Sequence, residues 1–344
     1  MGNGHEALRY DSFEMSDSVI VTEKLTKRYG HLFAVRDLDL IVPNGSVFGF
    51  LGPNRAGKTT TMRLLLGLIH PTAGRAHVLG HDVATARSKF LPHVGALVES
   101  PAFYPFLSGQ DNLRVLSETG GYTDKNRIDE VLDLVGLSDR RRDRVRTYSL
   151  GMKQRLAVAA TLLHQPKLLF LDEPTNGLDP AGQADIRQLI RRLGQTGHTI
   201  FISSHLLHEI EQTCDQVAII DHGQLLKQGR VSELLNEQPA LRIEAEPIER
   251  AFAILAAIDN LKPERLGSNQ IVVKAGRDAA PDIVKALTDG GARVYQVVAE
   301  RESLEQVFLR ITGAEPSVDA GGPLPRHAGP DADPHAPPQE REGA

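Results

Sequence analysis

The stretch GPNRAGKTT, Gly52–Thr60, fits the pattern GxxxxGK followed by Thr, and it stands between an apolar run, SVFGFL (46–51), and a helix-like run, TTMRLLLGLI (60–69). That context gives the motif its meaning. A loop that runs from a strand into a helix N-terminus points several backbone N–H groups at one place, and the helix dipole adds positive potential there, so phosphates bind. Gly52, Pro53, Asn54, Arg55, Ala56, Gly57, Lys58, Thr59 and Thr60 are therefore the expected phosphate cradle. Lys58 is expected to bridge the β- and γ-phosphates, and Thr59 to offer its hydroxyl to a magnesium ion.

A phosphate loop of this kind needs an acid at the end of a neighbouring strand. KLLFLDE (167–173) supplies it. Asp172 is the expected second magnesium contact, and Glu173, directly after it, is placed to lean toward an attacking water as a general base, an effect of about 10²–10⁴ in rate.

Between these motifs lies YSLGMKQRLAVA, Tyr148–Ala159, in which Ser149 is expected to cap a helix starting near Gly151 and so create a second anion site. One chain thus carries one phosphate loop and two anion sites. The segment resembles the ABC signature LSGGQ, and that resemblance implies an α/β fold: an ABC-type P-loop nucleotide-binding domain with a mostly parallel sheet and a helical subdomain. It also implies an ATPase whose cassettes pair head to tail, with Ser149 and Gly151 of one copy contacting the γ-phosphate held by Lys58 of the other. Further marks follow in the family's order. Tyr29 in LTKRYG resembles the aromatic platform that stacks on adenine. Asp179 in NGLDP, Asn176–Pro180, resembles the D-loop acid that reaches across the dimer. His205 in FISSH resembles the switch histidine that contacts the γ-phosphate.

Two positions depart from the family pattern. Glu99, in GALVESPAFYP, stands where these cassettes generally have Gln; a carboxylate can ligate magnesium or orient water as an amide oxygen does, so Glu99 joins Thr59 and Asp172 as an expected metal contact. Arg55 stands where the cradle normally has Gly, and if the position needs a left-handed backbone the substitution costs about 1–2 kcal/mol. Glu99, SLGMKQ and the closing SLEQVFLRIT together resemble the antibiotic-resistance subgroup, the bacitracin-, lantibiotic-immunity and daunorubicin-resistance type of exporter ATPase. The resemblance implies ATP and Mg2+ as ligands, a second copy of the chain and a separate membrane permease as partners, and a cytoplasmic place at the inner face of the membrane. Phe103, Tyr104 and Phe106, beside Pro101 and Pro105, fall where the family meets its permease, although core packing explains them equally well.

The rest of the chain fits this frame. Its 344 residues, 41% hydrophobic, suffice for one large domain and one small one. Lys and Arg are interspersed with Asp and Glu, and the net charge of −5 names no nucleic-acid partner. DRRRDRVR (139–146) reads as a solvated face. The single Cys214 excludes an internal disulfide and suits a reducing compartment. No apolar run nears the roughly 20 residues that cross a bilayer. Residues 1–17 read as a loose extension, 18–238 as the ATPase domain, 239–312 as a small split-βαβ domain, and 313–344, rich in Pro, Gly and charge, as a disordered tail. Rival readings are a soluble ABC ATPase of translation or DNA repair, which would show a second cassette, a long coiled coil or zinc-binding cysteines, and a non-hydrolysing subunit suggested only by Arg55.

Overall fold

A computed structural model describes residues 17–312 except 100, 101, 123, 125, 236–238, 259, 260 and 301. The expected N-terminal extension apart from Asp17, the expected tail after Thr312, and Pro101 lie outside the described residues.

The chain runs through β1 (Ser18–Tyr29), β2 (Leu32–Leu38), β3 (Ile41–Pro43), β4 (Val47–Leu51), α1 (Lys58–Leu65), β5 (Ala73–Val78), β6 (His81–Asp82), α2 (Arg87–Phe90) and β7 (Val94–Leu97). Three helices follow, α3 (Gly109–Thr119), α4 (Arg127–Leu134) and α5 (Leu150–Thr161). Then come β8 (Leu168–Asp172), α6 (Pro180–Gln195), β9 (Thr199–Ser204), α7 (Leu207–Thr213), β10 (Gln216–Asp221), β11 (Gln224–Arg230) and α8 (Val231–Leu234). The last part holds β12 (Ala240–Glu246), α9 (Ile248–Ala256), β13 (Pro263–Leu266), β14 (Gln270–Val273), α10 (Ala280–Asp289), β15 (Arg293–Glu300) and α11 (Leu304–Thr312).

The central sheet has the order β11-β10-β4-β9-β8-β7, parallel except for the edge pair β10–β11. Its inner strands VFGFL, LLFLD and TIFISS are buried at every residue, which is why they read as unbroken apolar runs rather than alternating ones. One face packs against α4, α5, α6 and α7 through Val131, Leu156, Leu189 and Ile210. On the other, Phe201 sits among Phe48, Phe50 and Phe170 with ring centroids 5.2–5.7 Å apart, and α1 covers them with Met62, Leu64 and Leu65. A second, antiparallel sheet of β1, β2, β3, β5 and β6 shares that core.

The C-terminal sheet, β13-β14-β12-β15, is antiparallel throughout and is covered by α9 and α10 through Leu255, Ile283 and Leu287. The order βαββαβ includes one strand, β13, that the sequence reading passes over: PERL pairs with QIVV across a turn at Gly267 and buries almost nothing, so it has no apolar pattern to betray it. The final helix also differs from expectation. Leu304, Val307 and Phe308 of α11 are fully buried in the core of the ATPase part, beside Leu207, Ile210, Val231 and Leu234, rather than in the small domain. The chain therefore leaves the ATPase core after α8 and returns to it at α11.

Replacing Phe308 with Ala is expected to cost about 3–5 kcal/mol, the range for a buried aromatic. Denaturant unfolding followed through the ATPase core should show the loss there, and an unchanged midpoint would show that α11 is not part of that core.

Candidate active site

The cradle, the acids and the switch histidine occupy one edge of the central sheet. β4, β9 and β8 are neighbours in parallel register, with Leu51 opposite Ser204 and Asp172 opposite Ser203, so the segments leaving all three strands start side by side. Ligands of open α/β sheets bind at this carboxyl edge.

The cradle leaves β4 at Gly52 and enters α1 at Lys58. Gly57 has φ 103°, and a Cβ there would come 2.3 Å from the Ala34 carbonyl oxygen, so no other residue fits. No side chain caps α1, which leaves its first N–H groups free to meet an anion. Arg55 has φ 72°: the left-handed backbone on which its strain depends is present, and its side chain is exposed. Lys58 is 6% exposed. Its Nζ donates to the carbonyls of Gly52 at 2.7 Å and Pro53 at 3.2 Å and stands 3.1 Å from Glu173 Oε1.

Thr59 Oγ1 donates to Asp172 Oδ2 at 2.9 Å, and Ser203 donates its hydroxyl to the other Asp172 oxygen. Glu173 sits at φ 48°, held there by its N–H, which donates to Ser203 O at 3.2 Å and Ser203 Oγ at 3.0 Å. Its Oε2 lies 2.7 Å from His205 Nδ1. Burial alone would push the Glu173 carboxyl up, but the hydrogen bond from His205 and the charge of Lys58 outweigh burial and hold it below the ordinary carboxylate value. An ionised carboxylate bonded to a histidine can take a proton from water, and the bond through Nδ1 orients the ring. Ser203 is the site residue that the motif reading passes over. Its signal was its place in FISSH, two residues before His205.

The remaining expected residues lie elsewhere. Ser149 caps α5, accepting from the Met152 N–H at 3.2 Å, and Tyr148 before it is buried with its hydroxyl donating to the Arg140 carbonyl at 2.7 Å. The helix starts at Leu150, one residue earlier than expected. Ser149, Gly151, Gly177 and Asp179 border a surface cleft of about 380 Å³. Asp179 caps its own helix α6, accepting from the Gly182 N–H at 3.0 Å. Tyr29 ends β1 half exposed, with Lys27 Nζ 5.0 Å from its ring centre. Glu99 is exposed and its carboxylate is taken up by Arg63 of α1, whereas Thr59 and Asp172 are bonded to each other. Arg140 and Arg141 of the basic run pair with Asp143 and Asp129, and Tyr104 and Phe106 are 61% and 72% exposed.

A Gly-rich loop that enters a helix beside a strand ending in two acids, one of them bonded to a histidine just past the neighbouring strand, is the arrangement expected of an ATP-binding cassette ATPase. The family described as ABC transporter matches residues 35–176. The bacitracin transport ATP-binding protein of Bacillus licheniformis is 39% identical over 86% of this chain and 98% of its own length. A daunorubicin resistance ATP-binding protein of Streptomyces coeruleorubidus is 37% identical over 88% of this chain and 99% of its own. Among solved structures, cbiO1 of Clostridium perfringens, part of an ABC transporter complex, superposes with a TM-score of 0.59 at 26% identity, over 64% of this chain and 92% of that one. The chain belongs to the ATP-binding proteins of ABC transporters, and it is an ATPase.

Lys58→Ala is expected to weaken ATP binding, because it removes the buried cation of the cradle; a direct binding assay checks this. Arg55→Gly is expected to leave ATP affinity equal or tighter, with unchanged salt dependence, because strain of about 1–2 kcal/mol is relieved and no phosphate contact is lost. Dissociation constants at low and high salt decide the point, and a weaker, less salt-sensitive Gly variant would show that the guanidinium serves the phosphates.

Proposed function

We propose that two copies of this chain close head to tail on two molecules of ATP and use the closure to drive a separate membrane permease that exports a drug, peptide antibiotic or lipid-like compound. The observation that carries this reading is the distance in the fold between the two anion-seeking sites. The cleft at Ser149 and Asp179 is lined by residues of the signature, the D-loop and α6, and none of the cradle borders it. A second copy supplies Ser149 and Gly151 to the γ-phosphate at Lys58, and Asp179 then faces the partner's site.

Within each site Lys58 exchanges its carbonyl partners for phosphate oxygens, and the loop N–H groups bind the rest of the phosphate chain. Thr59 and Asp172 offer hard oxygen ligands already adjacent to each other, which suits magnesium, and Glu99 would add a third only after releasing Arg63. Magnesium, when bound, neutralises charge that develops on the β- and γ-phosphates. Glu173 accepts a proton from the attacking water, and His205, held at its Nδ1, presents Nε2 to the γ-phosphate. Tyr29 is the adenine platform.

Among the described residues no helix is long and apolar enough to cross a membrane, which favours a permease made by another chain. The exposed Tyr104 and Phe106 suit its contact surface, which supports a peripheral position for the ATPase on the cytoplasmic side of the membrane. The cargo class is taken from the relatives named for bacitracin transport and daunorubicin resistance.

Glu173→Gln is expected to keep ATP binding while hydrolysis falls about 10²-fold or more, so that ATP-bound dimers accumulate. Phosphate release and sedimentation with and without MgATP test both halves; hydrolysis at the wild-type rate, or a chain that stays monomeric, would refute the reading.

A further inference from the structure

We propose that Glu209, on α7, is a positioning residue for ATP hydrolysis: one of its buried carboxylate oxygens fixes the spacing between the turn that carries Glu173 and the turn that carries His205. Glu209 is 4% exposed. Its Oε2 accepts from the Thr175 hydroxyl at 2.7 Å and from the Ser204 hydroxyl at 3.1 Å. Thr175 lies two residues beyond Glu173, and Ser204 directly precedes His205. The Ser204 hydroxyl also accepts from the Leu206 N–H at 3.0 Å, so the backbone on both sides of His205 is tied to it. Two loops leaving different strands therefore share one acceptor atom. Neither can shift without stretching its bond to the same point, and the 2.7 Å contact between Glu173 and His205 is held from outside as well as by itself.

Two further observations point the same way. From behind, α7 is anchored by Leu207 and Ile210, and by Cys214 just past its end, in the core that also receives Leu304, Val307 and Phe308, so the carboxylate stands on a packed support. On the carboxylate itself, Oε1 has no hydrogen-bond partner, and the Thr213 hydroxyl one helical turn on has none either; among the described residues these are the buried side-chain polar atoms left so. A buried carboxylate with an unpaired oxygen works against folding, and a neutral or apolar side chain would pack there at less expense. The geometry it imposes on the two catalytic turns accounts for its presence, because misplacing reacting groups by about 1 Å can lower a rate 10²-fold.

The inference rests on the roles given above to Glu173 and His205. In the full-length chain, Glu209→Leu is expected to lower kcat about 10-fold or more while the ATP dissociation constant stays within about twofold. Glu209→Gln keeps an oxygen for both hydroxyls and turns its amide to the unpaired side, so it should restore kcat to within about threefold. Thr175→Val and Ser204→Ala should each lower kcat, and together by less than the product, since both act through one atom. These two carry the test if Glu209→Leu does not fold. Wild-type kcat in Glu209→Leu, or in both hydroxyl variants, beside an inactive Glu173→Gln would overturn the positioning role alone. Loss of kcat and ATP affinity in parallel with melting temperature, without rescue by Gln, would overturn it as well. Wild-type hydrolysis in Glu173→Gln would remove the underlying assignment and this one with it.

Discussion

Parallel register across three strands governs everything else in this molecule. Hydrogen bonding sets β4, β9 and β8 side by side, and because all three run the same way their carboxyl ends deliver Gly52, Ser204 and Asp172 to one edge. Gly52, Asp172, Glu173 and His205 span more than a hundred residues of sequence between first and last, yet no long side chain is needed to bring them together. A slip of one residue along β8 would turn Asp172 to the opposite face of the sheet and separate it from Thr59. The apolar packing around Phe201 and Ile202 is what prevents that slip, so the chemistry depends on the core directly beneath it.

The polar groups at that edge are partnered with one another. Glu173 touches both Lys58 and His205, and each oxygen of Asp172 accepts from one hydroxyl. Groups this poorly hydrated would be costly alone; partnered, they hold Glu173 ionised despite its burial. Arg55 and Glu173 both take positive φ at that edge although neither is glycine, as Lys24, Asp37, Leu79, Glu99, Gln165 and His222 do elsewhere in the chain.

What could be read from sequence was what is local. GPNRAGKTT, KLLFLDE and the Ser149 cap each announce themselves because their chemistry needs adjacent residues, and the unbroken apolar runs announced a sheet covered on both faces. The left-handed turn at Arg55 could be posed as a condition and is met. Contacts between distant segments left no such mark. The pairing of Glu99 with Arg63 joins residues 36 apart, and the bond from Ser203 to Asp172 depends on strand register. β13 is too exposed to show a period, and α11 carries an amphipathic stripe that says it will be buried without saying against what.

The return of α11 to the ATPase core changes the mechanics of the small C-terminal domain. An appendage joined by one linker can swing in any direction, whereas a body fastened at two points can only rock about the line through them. With α8 on one side and α11 on the other, the four-stranded sheet is an insertion between two segments of the ATPase core. Leu304, Val307 and Phe308 thus join the far end of that insertion to the core that holds α7, the helix that follows His205, so the insertion and the nucleotide edge share one apolar anchorage.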